Sequence, residues 1–172
     1  NIRSVQNSLL RLRYDCRITD NPEEITGADK VIFPGVGEAS SAMKYLKERE
    51  LDKVITSLKQ PVLGICLGLQ LMTLYSEEGD TECMKIFNTY VRLFPQVDKV
   101  PHMGWNNLHI AKTNPLFIGV PDDFMMYFVH SYYPIPDHKS IVLATTDYGL
   151  EFASAVGDGM VFGIQFHPEV AL

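Results

Sequence analysis

Hydrophobic residues near the start of the chain follow helical spacing and then form short strand-like runs. Val5, Leu9 and Leu12 recur at intervals of four and three residues, which predicts an amphipathic helix. Apolar runs at 16–18 and 29–33 predict strands, and the Pro-Gly pair after the second run is expected to end it.

The next segment continues the alternation of helix and strand. Apolar residues at helical spacing predict one helix from Ala39 onward and another over 51–59. The run VLGIC (62–66) predicts a buried strand, and LGLQLMTLY (67–75) predicts the helix that follows it. Such alternation favours a parallel sheet with helices packed on its faces.

The second half of the chain predicts mainly strands. Turns rich in Pro, Asp and Gly separate its apolar runs, which are IFNTYVRLF (86–94), WNNLHI (105–110), FMMYFVHSYY (124–133), IVLATT (141–146), FASAV (152–156) and MVFGIQF (160–166). The predicted fold class is α/β, with a mostly parallel central sheet, flanking helices and an antiparallel extension, in a single domain over residues 1–172. Because a parallel α/β sheet normally begins with a strand, we expect a first strand and a C-terminal helix to lie outside this sequence.

Composition and charge narrow the classes of function. Hydrophobic residues make up 46% of the 172, enough for one core. The formal net charge of −6, with scattered Lys and Arg, argues against nucleic acid and anionic membranes as partners. No apolar run has the length of a membrane-spanning helix and no leader peptide is evident, so we expect a soluble cytoplasmic protein.

The cysteines and most histidines show no metal or disulfide pattern. Three cysteines without a C-x-x-C pair argue against a disulfide framework and a zinc cluster. Cys16 is expected in the core, Cys83 has no expected role, and the acidic run 76–82 is expected to be a solvated loop. No metal-ligand spacing relates His102, His109 and His138. We therefore expect neither a metal nor a cofactor.

Cys66 lies where the predicted strand 62–66 turns into the predicted helix. It is flanked at two residues' distance by Gly64 and Gly68, as a sharp strand-to-helix elbow requires, because side chains there would collide with the tight backbone. A thiol at a helix N-terminus is favoured as a thiolate. The sequence thus predicts a nucleophile, and the alternative is a buried structural cysteine in a glycine-bracketed turn.

The segment GIQFHPE (163–169) supplies a candidate base. The proline after His167 favours extended geometry for that residue, which would present the ring at a strand end. Glu169 is close enough to accept the imidazole N–H and to fix the tautomer. A histidine at a strand end is often only a hydrogen-bonded residue, but together with the elbow it predicts a Cys66–His167–Glu169 triad.

A glycine pair in PGVG (34–37) suggests an oxyanion hole. Glycines on both sides of Val36 allow its peptide to aim an N–H outward, and Leu67, directly after the nucleophile, would supply a second N–H. The alternative is a simple turn leading into the next helix. A dinucleotide fingerprint is excluded, because Ser40 stands where G-x-G-x-x-G requires its third glycine.

These motifs together resemble the class I, triad-type glutamine amidotransferases, and within them the glutaminase subunits of imidazole glycerol phosphate synthases of histidine biosynthesis. The segments that carry the resemblance span the chain: NIRSV (1–5), IFPGVGEASSAM (32–43), PVLGICLGLQLM (61–72), VPHMGWN (100–106), YFVHSYY (127–133) and GIQFHPE (163–169). The resemblance implies a flavodoxin-like amidotransferase fold. One departure is Val170, since a lysine usually follows HPE in that family.

The resemblance also implies roles for individual residues. Cys66 would attack the carboxamide of glutamine, His167 would relay the proton, Glu169 would orient the ring, and N–H groups around Val36 and Leu67 would hold the oxyanion. The residues implied in holding the substrate are Gly35, Gln70, His130, Ser131 and Tyr132.

Ammonia would then pass to a (β/α)8-barrel cyclase subunit, which makes imidazole glycerol phosphate and an aminoimidazole carboxamide ribotide. The residues implied in facing that cyclase are Met103, Gly104, Trp105, Asn106 and Tyr127. The pattern around Trp105 fits a binding surface, where Trp and Met are enriched, and equally a strand residue that covers the core.

Two other functions remain open at this stage. One is a related triad hydrolase, such as the glutaminase of vitamin B6 synthesis or a peptidase-like relative. The other is a binding or regulatory module on an inactive amidotransferase scaffold. The segments PGVG and PHMGWN argue against the first, and the joint presence of Cys66, His167 and Glu169 argues against the second.

Overall fold

The structure, a computed structural model, describes residues 2–35, 37–96 and 99–170. Its α-helices are α1 (Ile2–Arg11), α2 (Pro22–Thr26), α3 (Ala39–Glu48), α4 (Leu51–Ser57) and α5 (Leu67–Leu71). Its strands are β1 (Val31–Gly35), β2 (Val62–Cys66), β3 (Tyr75–Ser76), β4 (Thr81–Glu82), β5 (Thr89–Leu93), β6 (His102–Asn107), β7 (His109–Ile110), β8 (Met125–His130), β9 (Tyr132–Pro136), β10 (Val142–Asp147), β11 (Glu151–Asp158) and β12 (Val161–Ile164). Short 3-10 helices span Pro115–Phe117, Lys139–Ile141 and Pro168–Val170.

The central sheet is mixed and has six strands in the order β1-β2-β12-β11-β10-β7. Strand β2 pairs in parallel with β1 on one side and with β12 on the other. Strands β11, β10 and β7 extend the sheet with antiparallel pairings. The predicted α/β class with an antiparallel extension is therefore confirmed, although the described sheet is mixed rather than mostly parallel, with two parallel and three antiparallel pairings. The two parallel pairings bring the carboxyl ends of β1, β2 and β12 to one edge.

Apolar side chains from the central strand β2 enter two separate cores. Val62 belongs to a cluster with the buried residues of α3, α4 and α5, while Ile65 belongs to a cluster that includes Phe128 of β8 and Phe152 of β11. Residues three positions apart on a strand point to opposite faces. The sheet is thus covered on both faces, which explains why β2 is apolar throughout. Within the described part of the chain, no helix combines the length and apolarity needed to cross a bilayer.

Two smaller β-structures complete the fold. Strands β4, β3, β5 and β9 form a four-stranded sheet, and β6 pairs with β8 as an antiparallel two-stranded ribbon. The strands predicted for the second half of the chain are therefore present, but two of them are interrupted. The segment 105–110 divides at Leu108 between β6 and β7, and the segment 124–133 divides at Ser131 between β8 and β9, in each case between two sheets.

Three local predictions need correction. Residues 16–18 are not a strand; they form no sheet pairing within the described residues, and Cys16 is half-buried rather than in the core. The helix predicted over 67–75 ends at Leu71, because the N–H groups of residues 84–87 take the carbonyl groups of residues 71–73. The helix α2 was not predicted, although Asn21 caps it and Pro22 opens it.

The approach of α5 to β1 yields a testable prediction. A Cβ added at Gly68 would lie 1.9 Å from the carbonyl oxygen of Phe33, a backbone atom that cannot step aside. We expect Gly68→Ala to lower the free energy of unfolding by about 3 kcal/mol or more in urea denaturation. Gly159→Ala is the matched control: its φ of +57° carries strain but nothing lies within 4 Å, so a loss of about 1 kcal/mol is expected. Equal losses would contradict the steric argument.

Candidate active site

Cys66 occupies the tight turn between β2 and α5. Its backbone has φ 54° and ψ −110°, a conformation that costs a residue with a side chain about 1–3 kcal/mol. The turn brings α5 so close to the neighbouring strands that a Cβ at Gly64 would lie 2.8 Å from the backbone nitrogen of Leu69. The predicted elbow is present, and its glycines are required by the close approach of backbone to backbone.

His167 follows β12, which runs parallel beside β2 and so delivers the imidazole to the same sheet edge as Cys66. Its backbone N–H donates to the carbonyl of Tyr127 on the ribbon at 2.9 Å. Its side-chain Nδ1 lies 2.9 Å from Oε1 of Glu169, and both side chains are buried. The other ring nitrogen, Nε2, is buried and makes no hydrogen bond of normal geometry to a described protein group.

The neighbours of His167 hold it in its charged form. Burial alone would lower the pKa of the imidazole, but the interaction with the sulfur of Cys66 and the hydrogen bond and charge of Glu169 outweigh it and raise the pKa to about 9. Burial would likewise raise the pKa of Glu169, yet the hydrogen bond and charge of His167 bring it below its ordinary value. At neutral pH the site therefore holds an imidazolium between a carboxylate and the cysteine sulfur.

Two buried amides, of Gln165 and Gln70, form a line of hydrogen bonds that ends at the sulfur of Cys66. Gln165 is fully buried, and its Nε2 donates to the Sγ of Cys66 at 3.5 Å. Its Oε1 accepts from Nε2 of Gln70 at 3.0 Å, and the same Nε2 donates to the carbonyl of Tyr132 at 3.1 Å. Both hydrogens of the Gln70 amide are thus used inside the protein.

Two buried histidines lie behind Tyr132. The Nδ1 of His130 is 2.7 Å from the carbonyl of Tyr132, and its Nε2 is 3.0 Å from Nδ1 of His102. The amide of Asn106 donates to Nε2 of His102 at 3.2 Å and to the carbonyl of Asp147 at 2.8 Å. Because a carbonyl only accepts, every ring in this row must carry its proton on Nδ1.

Burial keeps these two rings neutral. It lowers the pKa of His130 to about 3 and that of His102 to about 4. His102 also stacks on Tyr148 with a ring-centroid separation of 4.0 Å and an interplanar angle of 23°. The histidine pair therefore acts as a fixed row of neutral hydrogen-bonding groups, in contrast to the charged His167.

The other residues predicted to hold substrate lie at the end of β1 and at the junction of β8 and β9. Gly35 is directly beside Cys66 in the register of β1 and β2. Ser131 and Tyr132 are half-buried at the junction of β8 and β9. Leu67 is the first residue of α5 and is buried, whereas Val36, the other predicted oxyanion residue, lies outside the described residues.

Acidic side chains give the surroundings of Tyr132 a negative potential. Burial is the main cause that raises the pKa of the Tyr132 hydroxyl, and the charges of Glu78, Glu77 and Glu38 raise it further. Glu78 is half-buried and accepts from the backbone N–H of Ala39 at 2.9 Å. The acidic run 76–82 is therefore not a uniformly solvated loop.

The residues predicted to face a partner lie on the β6–β8 ribbon. Met103 and Trp105 are 61% and 50% exposed, and the ring of half-buried Tyr127 contacts Trp105 edge to face at 5.7 Å. Gly104 and Asn106 are also half-buried, and the amide nitrogen of Asn106 is directed inward to His102. The outer face of the ribbon is thus apolar and aromatic, and its inner face carries the hydrogen-bonded pair His102 and His130, here called the histidine row.

Reasoning from the sequence missed three polar residues around the site. Gln165 was part of a recognised motif without a role of its own, His102 was weighed only as a metal ligand, and Glu78 was assigned to a solvated loop. For Gln165 the signal was a polar residue inside an apolar strand pattern, which predicts a buried hydrogen-bonding group. The partners of Gln165 could not be read from the sequence.

A cluster of potential metal ligands lies on a different part of the surface. His109, Asp122 and Asp123 are all exposed, with Nδ1 of His109 at 2.9 Å from Oδ1 of Asp123. They belong to β7 and the turn before β8, and none of them contacts Cys66. Exposed carboxylates of this kind are common without an ion, so the cluster does not define a site.

A nucleophile elbow on an α/β sheet, with a His–Glu pair beside it, defines a triad-type hydrolase or transferase. The family model "Glutamine amidotransferase class-I" matches residues 1–172, and the chain belongs to the class-I glutamine amidotransferase family. This confirms the family predicted from the motifs.

Curated relatives point to one subfamily within this family. The chain is 47% identical over 170 residues to the imidazole glycerol phosphate synthase subunit HisH of Pasteurella multocida (strain Pm70), covering 98% of this chain and 85% of that protein. It is 50% identical over 174 residues to the HisH subunit of Bacteroides thetaiotaomicron, covering 98% of this chain and 86% of the relative.

Solved structures share the fold. A crystal structure of a glutamine amidotransferase superposes with a TM-score of 0.75 at 18% identity and covers 99% of this chain and 86% of that one. A glutamine amidotransferase from Thermotoga maritima superposes with a TM-score of 0.69 at 19% identity and covers 96% and 69% of the two chains. These likenesses support the class-I amidotransferase fold.

The histidine row yields a prediction that solution NMR can check. Since burial lowers the pKa of His102 to about 4 and that of His130 to about 3, both rings should stay neutral with the proton on Nδ1 at about pH 5. The unfolded chain binds more protons than the native state below pH 6.5, so the stability due to the pair is present above pH 6.5 and is lost as pH falls through about 4. Long-range 1H–15N spectra distinguish the tautomers, and protonation of either ring near pH 6.5 would contradict the buried network.

Proposed function

We propose that this chain is the glutaminase subunit of an imidazole glycerol phosphate synthase. It hydrolyses glutamine to glutamate and ammonia and passes the ammonia to a cyclase subunit in histidine biosynthesis, in the cytoplasm. The observation that carries the proposal is the placement of Cys66 in a strained elbow beside the buried His167–Glu169 pair. The likeness to HisH subunits over 98% of the chain supports the choice of synthase.

The proposed reaction begins at the sulfur. The Cys66 thiolate attacks the side-chain carboxamide carbon, and the oxyanion is held by the backbone N–H of Leu67 and by one near Val36. The imidazolium of His167 gives its Nε2 proton to the departing ammonia, leaving a γ-glutamyl thioester. Neutral His167 then takes a proton from water, whose oxygen attacks the thioester, and glutamate leaves as the thiolate is restored. Glu169 holds Nδ1 throughout.

Substrate recognition is assigned to the groups around this centre. Gly35 lies beside the reacting sulfur, and Ser131 and Tyr132 form the strand end that faces the charged head of glutamine. Gln70 and His130 contribute by holding the carbonyl of Tyr132 in place, since their hydrogen-bonding atoms are directed to it. The negative potential of the acidic run suits the α-ammonium group of the substrate.

The proposed partner surface is the outer face of the ribbon. Met103, Trp105 and Tyr127 present an apolar and aromatic patch, and Gly104 and Asn106 shape the strand that carries it. Such a patch suits a protein partner, because Trp, Tyr and Met are enriched in interfaces. We assign this face to a (β/α)8-barrel cyclase. The backbone hydrogen bond from His167 to Tyr127 links this patch directly to the histidine of the proposed triad.

The two other readings of the sequence are not favoured. The curated relatives are named as subunits of imidazole glycerol phosphate synthase, which argues against the glutaminase of vitamin B6 synthesis. An inactive regulatory module would have no need of a buried carboxylate on the imidazole of His167 beside a strained cysteine.

Replacement of the nucleophile tests the proposal. In a complex with a cyclase subunit, Cys66→Ala should reduce glutamine-dependent product formation by about a thousandfold or more. Product formation from ammonium salts should remain, since the cyclase needs only ammonia. Cys16→Ala is the matched control and should keep both activities. Glutamine hydrolysis unaffected by Cys66→Ala would refute the catalytic assignment.

The charge on His167 predicts the alkaline limit of the reaction. Because the proton donor to ammonia is the imidazolium, kcat/KM for glutamine should fall as pH rises through about 9. In Glu169→Gln one of the groups that raise the pKa of His167 loses its charge, so the fall should begin at lower pH. Steady-state rates of glutamate release across the alkaline range measure both profiles, and an identical alkaline limb in the two proteins would be inconsistent with this role.

A further inference from the structure

Gln165 is the polar side chain that donates a hydrogen bond to the nucleophilic sulfur. It is fully buried just before His167, and its Nε2 lies 3.5 Å from Sγ of Cys66. Its backbone N–H is separately bonded to the carbonyl of Ser154 at 2.9 Å, so the side-chain amide is not needed to satisfy its own strand. Burying an amide lowers the stability of the folded protein unless its polar atoms form hydrogen bonds.

We propose that Gln165 is a positioning residue for Cys66: its amide N–H holds the sulfur in the elbow and favours the thiolate over the thiol. A hydrogen bond donated to a charged group stabilises that charged form. The inference rests on the proposed role of Cys66 as the nucleophile and adds a residue outside the triad to it.

The direction of this hydrogen bond is dictated by a backbone carbonyl. The oxygen of Tyr132 can only accept, so the Gln70 amide must turn its NH2 group towards it. The second hydrogen of that NH2 group then requires Oε1 of Gln165, at 3.0 Å. Gln165 is left with its NH2 group facing the sulfur. A flipped Gln165 would set donor against donor at Gln70 and oxygen against the thiolate.

Other side chains also act on the sulfur of Cys66, and their effects must be distinguished from the effect of Gln165. His167 interacts with Cys66 directly, and Glu169 stands behind His167. His130 is kept neutral by burial, although it interacts electrostatically with His167. In the neutral variant Gln165→Met no charge near the sulfur is added or removed, so a shift in its alkylation midpoint reports the amide itself, whereas a carboxylate at position 165 also acts on His167.

The test measures the pH dependence of Cys66 alkylation in the full chain. Iodoacetamide is the probe, and peptide mass spectrometry follows modification of Cys66 apart from Cys16 and Cys83. Gln165→Glu keeps the acceptor for Gln70 but puts an oxygen opposite the sulfur, and should raise the pH midpoint of alkylation by about one unit. In the complex with a cyclase, kcat for glutamine should fall about tenfold at neutral pH, while KM should stay within about twofold.

Two further variants make the result decisive. Gln165→Met keeps the length of the side chain without a donor and should raise the midpoint less than the glutamate does; it decides the matter if Gln165→Glu does not fold. Gln60→Glu adds the same charge before the start of β2 and should leave the midpoint unchanged. Midpoints in both Gln165 variants that match the wild type would overturn the proposal. Because alkylation needs no glutamine, this outcome is distinct from a wild-type protein that fails to hydrolyse glutamine.

Discussion

The site depends on the close approach of the first turn of α5 to the backbone of β1. That approach is possible only because Gly68 has no side chain against the carbonyl of Phe33. It forces the chain to reverse at Cys66, which takes a positive φ that its side chain disfavours. The energetic cost of this strain is offset by the two parallel pairings of β2 and by apolar packing on both of its faces. The rest of the sheet thus holds the half-buried thiol of Cys66 in a backbone conformation that is otherwise unfavourable.

Around this sulfur the protein uses charge on one side and neutral dipoles on the other. The His167–Glu169 pair is charged and buried, and it works because each partner stabilises the other. The second side consists of the amides of Gln165 and Gln70, and the carbonyl of Tyr132 sets their orientation. Nδ1 of His130, which lies on the ribbon, bonds to the same carbonyl. The ribbon and the amides that reach Cys66 are therefore joined at one backbone carbonyl, that of Tyr132.

Sequence patterns predicted the features that depend on neighbours in the chain. The glycines around Cys66 and the proline after His167 act within a few residues, so their geometry is local and the elbow and the His–Glu contact were foreseen. The length of α5 and the role of Gln165 depend on distant groups. The sulfur that Gln165 contacts is 99 residues away, and α5 ends where a later loop takes its carbonyls. The strand expected at 16–18 has the right composition but no pairing partner among the described residues, which composition cannot reveal.

We propose that the fold sets one of the three cysteines apart as the nucleophile for a glutamine-like carboxamide. The most direct measurement is covalent labelling with 6-diazo-5-oxo-L-norleucine, a reactive glutamine analogue, followed by peptide mass spectrometry. The account predicts one adduct, at Cys66, whose formation is slowed by added glutamine. Equal labelling of Cys16 or Cys83, or labelling of Cys66 that glutamine does not slow, would contradict it.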